Sequence, residues 1–269
     1  MSGHLLRRHA PIPSEVWDLL EQEAKQRLTV ALSARRLVDV EGPKGWEHSA
    51  TNLGRVSGVV SAPAEGVIAR IRSVLPLTEI RGDFTLLREE IINATRGAAD
   101  VDLAALDEAA HRIASVENAA VFSGWDEVGI IGIVQASPHQ ALHYEPGTTA
   151  YDDLVASAVA TLKRSGIAGP YALALGPEDW AEIADASDQG GYPLVRHLRD
   201  ILGGPIEWVP GLTGGVVLSQ RGGDFILDLG EDLSLGYDSH TPTTVDLYLE
   251  ETMSFRVATP EAAIAIMAV

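Results

Sequence analysis

Thr244 to Val257, TVDLYLEETMSFRV, is the stretch whose reading decides the fold. Val245, Leu247, Leu249, Met253, Phe255 and Val257 take odd positions, and Asp246, Tyr248, Glu250, Ser254 and Arg256 take even ones. A period of two is the signature of a strand. At about 3.3 Å per residue the segment spans on the order of 40 Å, roughly twice an ordinary strand, so it can bridge two regions of a fold. Glu251 is the one charge on the apolar side, and the pattern makes it a strand end, a bulge or a residue with a buried partner.

Outward from this strand, the 269 residues suffice for one large domain or two modest ones, and 46% hydrophobic content supports a real core. No run approaches the ~20 apolar residues of a membrane span, and the basic N-terminus lacks an apolar segment behind it. The expectation is a soluble, cytoplasmic protein that engages no membrane. With no cysteine, disulfides, thiolate nucleophiles and cysteine metal sites are excluded. Twenty Lys and Arg against 38 Asp and Glu, a formal charge of −18, argue against nucleic-acid binding. The charge serves solubility, or a field that draws cations.

Ser14 reads as an N-cap with Glu15 behind it, opening an amphipathic helix through Val16, Leu20, Ala24, Leu28 and Leu32 to about Arg36. Leu37 to Val40 is strand-like. From Leu53 to Phe84 two extended arms flank a turn at Ser61 to Gly66, which predicts a long hairpin. An isolated hairpin is marginal in water, so such an arm lies on a neighbour. Thr85 to Thr95 reads as helical, and Asp102 caps a helix bearing Leu103, Leu106, Ala110 and Ile113. Tyr151 to Arg164 is a helix and Tyr171 to Leu175 a buried strand. Pro177 and Pro193 each open a helix. Residues 130 to 220 thus form an α/β insertion. Phe225 to Leu229 is a strand, and the apolar end ATPEAAIAIMAV is docked rather than free.

Enzyme signatures are absent: no G-x-S-x-G, no phosphate loop, no H-E-x-x-H. His139 and His143 are spaced as a helical metal pair, but Pro138, Pro146 and Gly147 make that segment a loop, and no metal or cofactor is expected. The neighbouring acids Glu89-Glu90, Asp152-Asp153 and Glu250-Glu251 point apart and read as solvated faces. Arg35 and Asp39 flank Leu37-Val38; they are either a helix cap with a surface ion pair, or the polar rim of an apolar groove for an extended peptide.

Ala10-Pro11 with Trp17, the run Arg35-Arg36-Leu37-Val38-Asp39-Val40-Glu41-Gly42-Pro43-x-Gly45-Trp46-Glu47, Gly169-Pro170-Tyr171, Gly191-Tyr192-Pro193, Arg221-Gly222-Gly223-Asp224-Phe225, Asp232-Leu233-Ser234-x-Gly236-Tyr237 and Glu251-Thr252-x-Ser254-Phe255 together resemble the type 1 encapsulin shell proteins, once labelled linocin-type bacteriocins. The resemblance covers essentially the whole chain in order. It implies an α+β fold, the Hong Kong phage-type (HK97-like) major capsid fold with peripheral domain, extended hairpin arm and axial domain. On that plan residues 1–50 begin the peripheral domain, 51–85 form the arm, 86–129 carry the spine helix, 130–220 are the axial domain and 221–269 close the peripheral domain. It also implies a non-enzymatic shell tile whose partner is itself, in an icosahedral homo-oligomer on the smallest lattice, T = 1. A second partner is a cargo enzyme, a dye-decolourising peroxidase or a ferritin-like protein, whose C-terminal targeting peptide sits against Leu28, Arg35, Asp39, Asp232, Leu233 and Leu235. Asp185, Asp188, Gln189, Gly190, Gly191 and Tyr192 resemble the loop around a fivefold pore, where an acidic ring favours cations. Two other readings stay open: a phage major capsid protein, which commonly carries a scaffolding region ahead of its first helix, and a hydrolase, which lacks a nucleophile constellation here.

Overall fold

A computed structural model describes residues 3–145, 151–185 and 193–269. Two short 3-10 turns, Gly3–Leu5 and Arg7–His9, precede helix α1 (Ser14–Ala31), which buries Val16, Trp17, Leu20, Ala24, Leu28 and Ala31 on one stripe. The N-cap is Pro13, not Ser14: the extended proline presents its carbonyl to the N–H groups of Val16 and Trp17, while the Ser14 hydroxyl turns to Glu15. The helix also stops before Arg36. Asn118 donates to the Ala31 carbonyl at 2.9 Å and accepts from the Ala34 N–H at 2.9 Å, so a side chain from another helix satisfies the end and leaves Ala34–Arg36 as a 3-10 turn.

Next come β1 (Asp39–Glu41), β2 (Ala50–Ser61), β3 (Ile68–Pro76), β4 (Thr78–Leu87), α2 (Arg88–Thr95) and α3 (Ala104–Phe122). The arm is shorter than the expected Leu53 to Phe84. Only β2 and β3 pair as a hairpin; at Leu77 the chain leaves the arm, and β4 runs antiparallel to the long strand from Thr78 to Leu87. Thr85 to Leu87 are therefore strand, and the helix expected from Thr85 begins at Arg88. The alternation of Ile80, Phe84 and Leu86, all buried, belongs to a sheet with a covered face. Asp102, expected as the cap of α3, stands one residue before the N-cap, which is Leu103; its Oδ1 still accepts the Ala104 N–H at 3.0 Å.

The chain continues through α4 (Ile133–Ala136), β5 (Leu142–Tyr144), α5 (Tyr151–Arg164), β6 (Tyr171–Leu175), α6 (Pro177–Asp185), α7 (Leu194–Leu202), β7 (Ile206–Trp208), β8 (Gly215–Ser219), β9 (Phe225–Leu229), β10 (Ser234–His240), β11 (Thr244–Val257) and β12 (Ala263–Ala268). Two five-stranded sheets result, beside the two-stranded arm. In the first, β9 and β10 run along one edge of β11 and β4 along the other, with β1 outside β9. In the second the order is β5-β12-β8-β6-β7. The apolar end is docked, as its composition required, but in the sheet of the 130–220 insertion: β12 lies between β5 and β8. A boundary at residue 220 therefore does not separate the sheets.

The long strand has the bounds its alternation gave it, but from Leu247 to Phe255 both faces are buried. Helix α3 packs across one face. The other is roofed by the N-terminal turns and the root of the arm: the Tyr248 hydroxyl reaches the His4 carbonyl at 3.5 Å, and Thr51 meets Ser254 at 2.5 Å. The Arg81 guanidinium lies 3.8 Å over the Tyr248 ring. Polar residues in a doubly covered strand need partners, and these contacts supply them for Tyr248 and Ser254. Glu250 and Glu251, read from their adjacency as solvated, are both buried.

Candidate functional site

Where β9 gives way to β10, pairing with β11 is interrupted. Leu229 faces Met253 and Ser234 faces Glu250, so the strand carries two more residues across the gap than β11 does. Gly230 and Glu231 keep bonds to Thr252, and the surplus pushes Asp232 and Leu233 outward, as a bulge does. They meet the C-terminal half of α1. Between the two runs an open groove of about 560 Å³, lined by Ala24, Leu28 and Leu32 from the helix and by Leu233, Leu235 and Leu249 from the sheet. Leu5 and Arg7 of the N-terminal turns close a third side, and Lys25, Arg35 and Asp232 also face in.

Arg35 forms the fixed polar end of this groove. Its Nε donates to Glu117 Oε2 at 2.8 Å and Oε1 at 3.1 Å, and Nη2 donates to Glu117 Oε2 at 2.6 Å and Glu251 Oε2 at 2.8 Å. Nη1 reaches Asp232 Oδ1 at 2.7 Å. Glu117 and Glu251 are wholly buried, so one planar fork holds two interior carboxylates and one rim carboxylate. Burial opposes the Arg35 charge, but Glu117, Glu251 and Asp232 outweigh it and raise its pKa. Burial, then the nearby Glu117 charge, holds the Glu251 carboxyl well above the usual carboxylate range, with Arg35 pulling the other way. Of the three roles open to Glu251 the structure selects the buried partner: pairing with β4 runs unbroken from Thr244 to Met253.

Five of the six residues expected around a guest peptide, Leu28, Arg35, Asp232, Leu233 and Leu235, thus share one groove. Asp39 does not. Its Oδ2 accepts the Gly223 N–H at 2.5 Å, and it lines a separate shallow recess with Gln220 and Asp224. Arg35 and Asp39 form neither an ion pair with each other nor a common rim. Asp185 ends α6, and Asp188, Gln189, Gly190, Gly191 and Tyr192 lie outside the described residues. His139 meets the Glu261 carbonyl at 3.0 Å and His143 sits in β5, so the two share no helical face. Among the described residues no group of three His, Asp or Glu side chains could hold a metal ion.

Sequence reasoning missed Glu117, Leu5 and Arg7. A signal for the first existed: Glu117 and Asn118 follow Ile113 and Ala114 by four on the stripe that α3 buries. A charge and an amide on an apolar stripe ask for buried partners. Also unanticipated is a knot under α6, where Tyr144 and Tyr151 both donate to Asp179 Oδ1, the latter at 2.8 Å. Away from the groove, the arm shows Val56, Val59, Val60, Ile68, Ile71 and Val74 to solvent. Monomeric proteins rarely leave so many large apolar groups on one element unpartnered.

Comparison with known proteins fits this architecture. The family described as Encapsulating protein for peroxidase matches residues 1–254. The chain is 42% identical over 265 residues to a type 1 encapsulin shell protein of Rhodospirillum rubrum, covering 97% of this chain and 95% of the relative. It is 38% identical over 264 residues to the type 1 encapsulin shell protein of Mycobacterium tuberculosis, covering 98% and 99%. Among solved structures, a virus-like particle from Pyrococcus furiosus aligns over 93% of this chain and 99% of its own with a TM-score of 0.64 at 14% identity. A structure from Mycobacterium phage Cain aligns over 89% of this chain and 90% of its own with a TM-score of 0.54 at 14% identity.

Proposed function

We propose a function for the groove from the premise that this chain belongs to the type 1 encapsulin shell proteins: it receives the C-terminal peptide of an enclosed enzyme. The chain is a self-assembling shell protein with the Hong Kong phage-type capsid fold, and not an enzyme. The observation that carries the peptide reading is the groove itself, an apolar trough of about 560 Å³ with a charge fixed at one end. An extended tail presents alternate side chains to one face about 6.6 Å apart. Leu28, Leu233 and Leu235 offer apolar seats, and Arg35 with Asp232 is held too firmly to collapse into the space. Asp39 lies outside this trough and takes no part in the proposal.

The family description makes a peroxidase the first candidate guest, and a ferritin-like protein the second. Asp185 and Asp188, repeated around a fivefold axis, would make an acidic, cation-admitting pore in a cytoplasmic compartment; swapping both for Asn and following cation entry tests that.

For the groove, the shell is co-produced with a fluorescent protein carrying the C-terminal tail of a dye-decolourising peroxidase. Wild-type particles are expected to retain the fluorescence. Leu28→Asp and Leu235→Asp particles should assemble with guest content reduced at least about tenfold, the loss typical of a central anchor. Equal loading of assembled wild-type and variant particles overturns the proposal.

A further inference from the structure

Four cations line the groove, Arg7, Lys25, Arg35 and Arg36, against two acids, Glu21 and Asp232. On a chain of formal charge −18 that balance is inverted. Three of the cations are already committed. Every guanidinium nitrogen of Arg35 is bonded to Glu117, Glu251 or Asp232. Arg36 donates to Glu207 at 2.7 Å and to the Thr29 carbonyl at 2.9 Å. Arg7 donates to Glu21 at 2.6 Å, with its guanidinium 4.3 Å over the Trp17 ring.

Lys25 is different. It is exposed, and among the described residues no carboxylate answers its ammonium. On α1 the partner at hand is Glu21, four residues earlier and in the favourable order for a helical ion pair. Arg7 has taken that acid, so the fold leaves one unpaired positive charge facing the trough. Its place along the trough is also defined. Leu28 and Leu32 follow it by three and seven residues on the same wall. The four residues between those leucines rise about 6 Å along a helix, close to the ~6.6 Å between alternate side chains of an extended tail. A tail lying along α1 can therefore seat two apolar side chains at Leu32 and Leu28, and the next atoms meet Lys25. One turn beyond Lys25 the bond from Arg7 to Glu21 ties the N-terminal turns to α1 and stands across that path. A chain following the helix in this direction stops beside Lys25, and a chain that stops there ends in a carboxylate.

We propose that Lys25 seats the terminal carboxylate of the guest tail, which runs antiparallel to α1 from the Arg35 and Asp232 end of the groove. The inference rests on the peptide reading of the groove and adds to it a direction and the recognition of a free chain end. Arg35 cannot take that part, because its nitrogens already face three carboxylates. The apolar seats supply most of the hold, and an ammonium in an open trough adds a preference of modest size. That preference separates a tail that ends from the same residues inside a longer chain.

A competition between two guests tests the seat. Fluorescent proteins of two colours are co-produced with the full-length shell, both carrying the C-terminal tail of a dye-decolourising peroxidase. In one the tail ends the chain, and in the other Gly-Ser-Gly-Ser follows it. Relative to the amounts made, wild-type particles should hold the free-ended guest in about threefold excess, the scale of an exposed ion pair. Lys25→Gln particles should assemble and load both guests with that excess reduced to near equality, and Lys25→Arg should restore it. Equal loading of the two guests in wild-type particles overturns the seat. So does an excess that Lys25→Gln leaves unchanged, since the extension then acts by bulk and not by charge. In both of those outcomes the guests are retained and the groove reading stands. Loading of neither guest above a tailless control overturns the groove reading, and the carboxylate seat with it.

Discussion

β11 and the β2–β3 arm are built from the same kind of sequence, extended runs studded with β-branched and aliphatic residues, and they meet opposite ends. From Leu247 to Phe255 β11 has no face in solvent, because β4, β9 and β10 flank it, α3 lies beneath and the N-terminal turns lie above. Beyond its root at Thr51 the arm has one partner per strand and no layer on either side, and Ile71 is 65% exposed. What differs is where the covering layer comes from. For β11 it comes from the same chain, while the arm's cover must come from other copies, consistent with a shell tile.

The hardest way to break this contrast is on the arm. Val59→Asp with Ile71→Asp should abolish particles while leaving circular dichroism unchanged, since neither side chain is buried within the chain; particles of normal size by light scattering would mean the arm is no interface. Next in size is Arg35→Ala, which strands the two interior carboxylates. A loss of about 3–5 kcal/mol in urea unfolding is expected. Sharper still is the split between those acids. Arg35 gives Glu117 three of its bonds and Glu251 one. Glu117→Gln should therefore cost about 2 kcal/mol, whereas Glu251→Gln should stay within about 1 kcal/mol at neutral pH. A carboxyl whose folded pKa is raised favours the fold at low pH, and that contribution is lost as pH rises through the elevated value. Glu251→Gln should accordingly flatten the fall in melting temperature as pH rises above the ordinary carboxylate value.

The smallest effect is expected at the arm's root. Burial works against the charge of Asp228, but Lys44 at 2.7 Å and Thr51 at 2.5 Å prevail and hold its carboxyl below the usual range. Here the sign reverses: the stability is present above the ordinary carboxylate value and is lost as pH falls below about 4. Melting followed from pH 7 down to pH 3 should show an acid limb that Asp228→Asn reduces.

Local rules recovered what local physics decides. The bounds of β11 and β9, and the helices behind Pro177 and Pro193, are legible because period and proline chemistry act over a few residues. The end of α1 was not, because a side chain 87 residues away, Asn118, takes the Ala31 carbonyl. β4 was misread as arm because strand pairing is non-local, and nothing in Thr78 to Leu87 says that its partner is Thr244 to Met253. Within the groove, Leu28, Asp232, Leu233 and Leu235 came from family resemblance alone, whereas Arg35 was also marked by its place beside the Leu37-Val38 run. Asp39 followed the same motif but points to Gly223, a choice of rotamer and turn that spacing does not encode.

The position of β12 governs timing. Because Ala263–Ala268 sits between β5 and β8, a nascent chain that has emerged only through β11 has a gap where the second sheet's inner strand belongs. The second sheet then closes only after every residue of the arm has been made. A chain interrupted there carries an exposed arm beside a second sheet that is not yet whole.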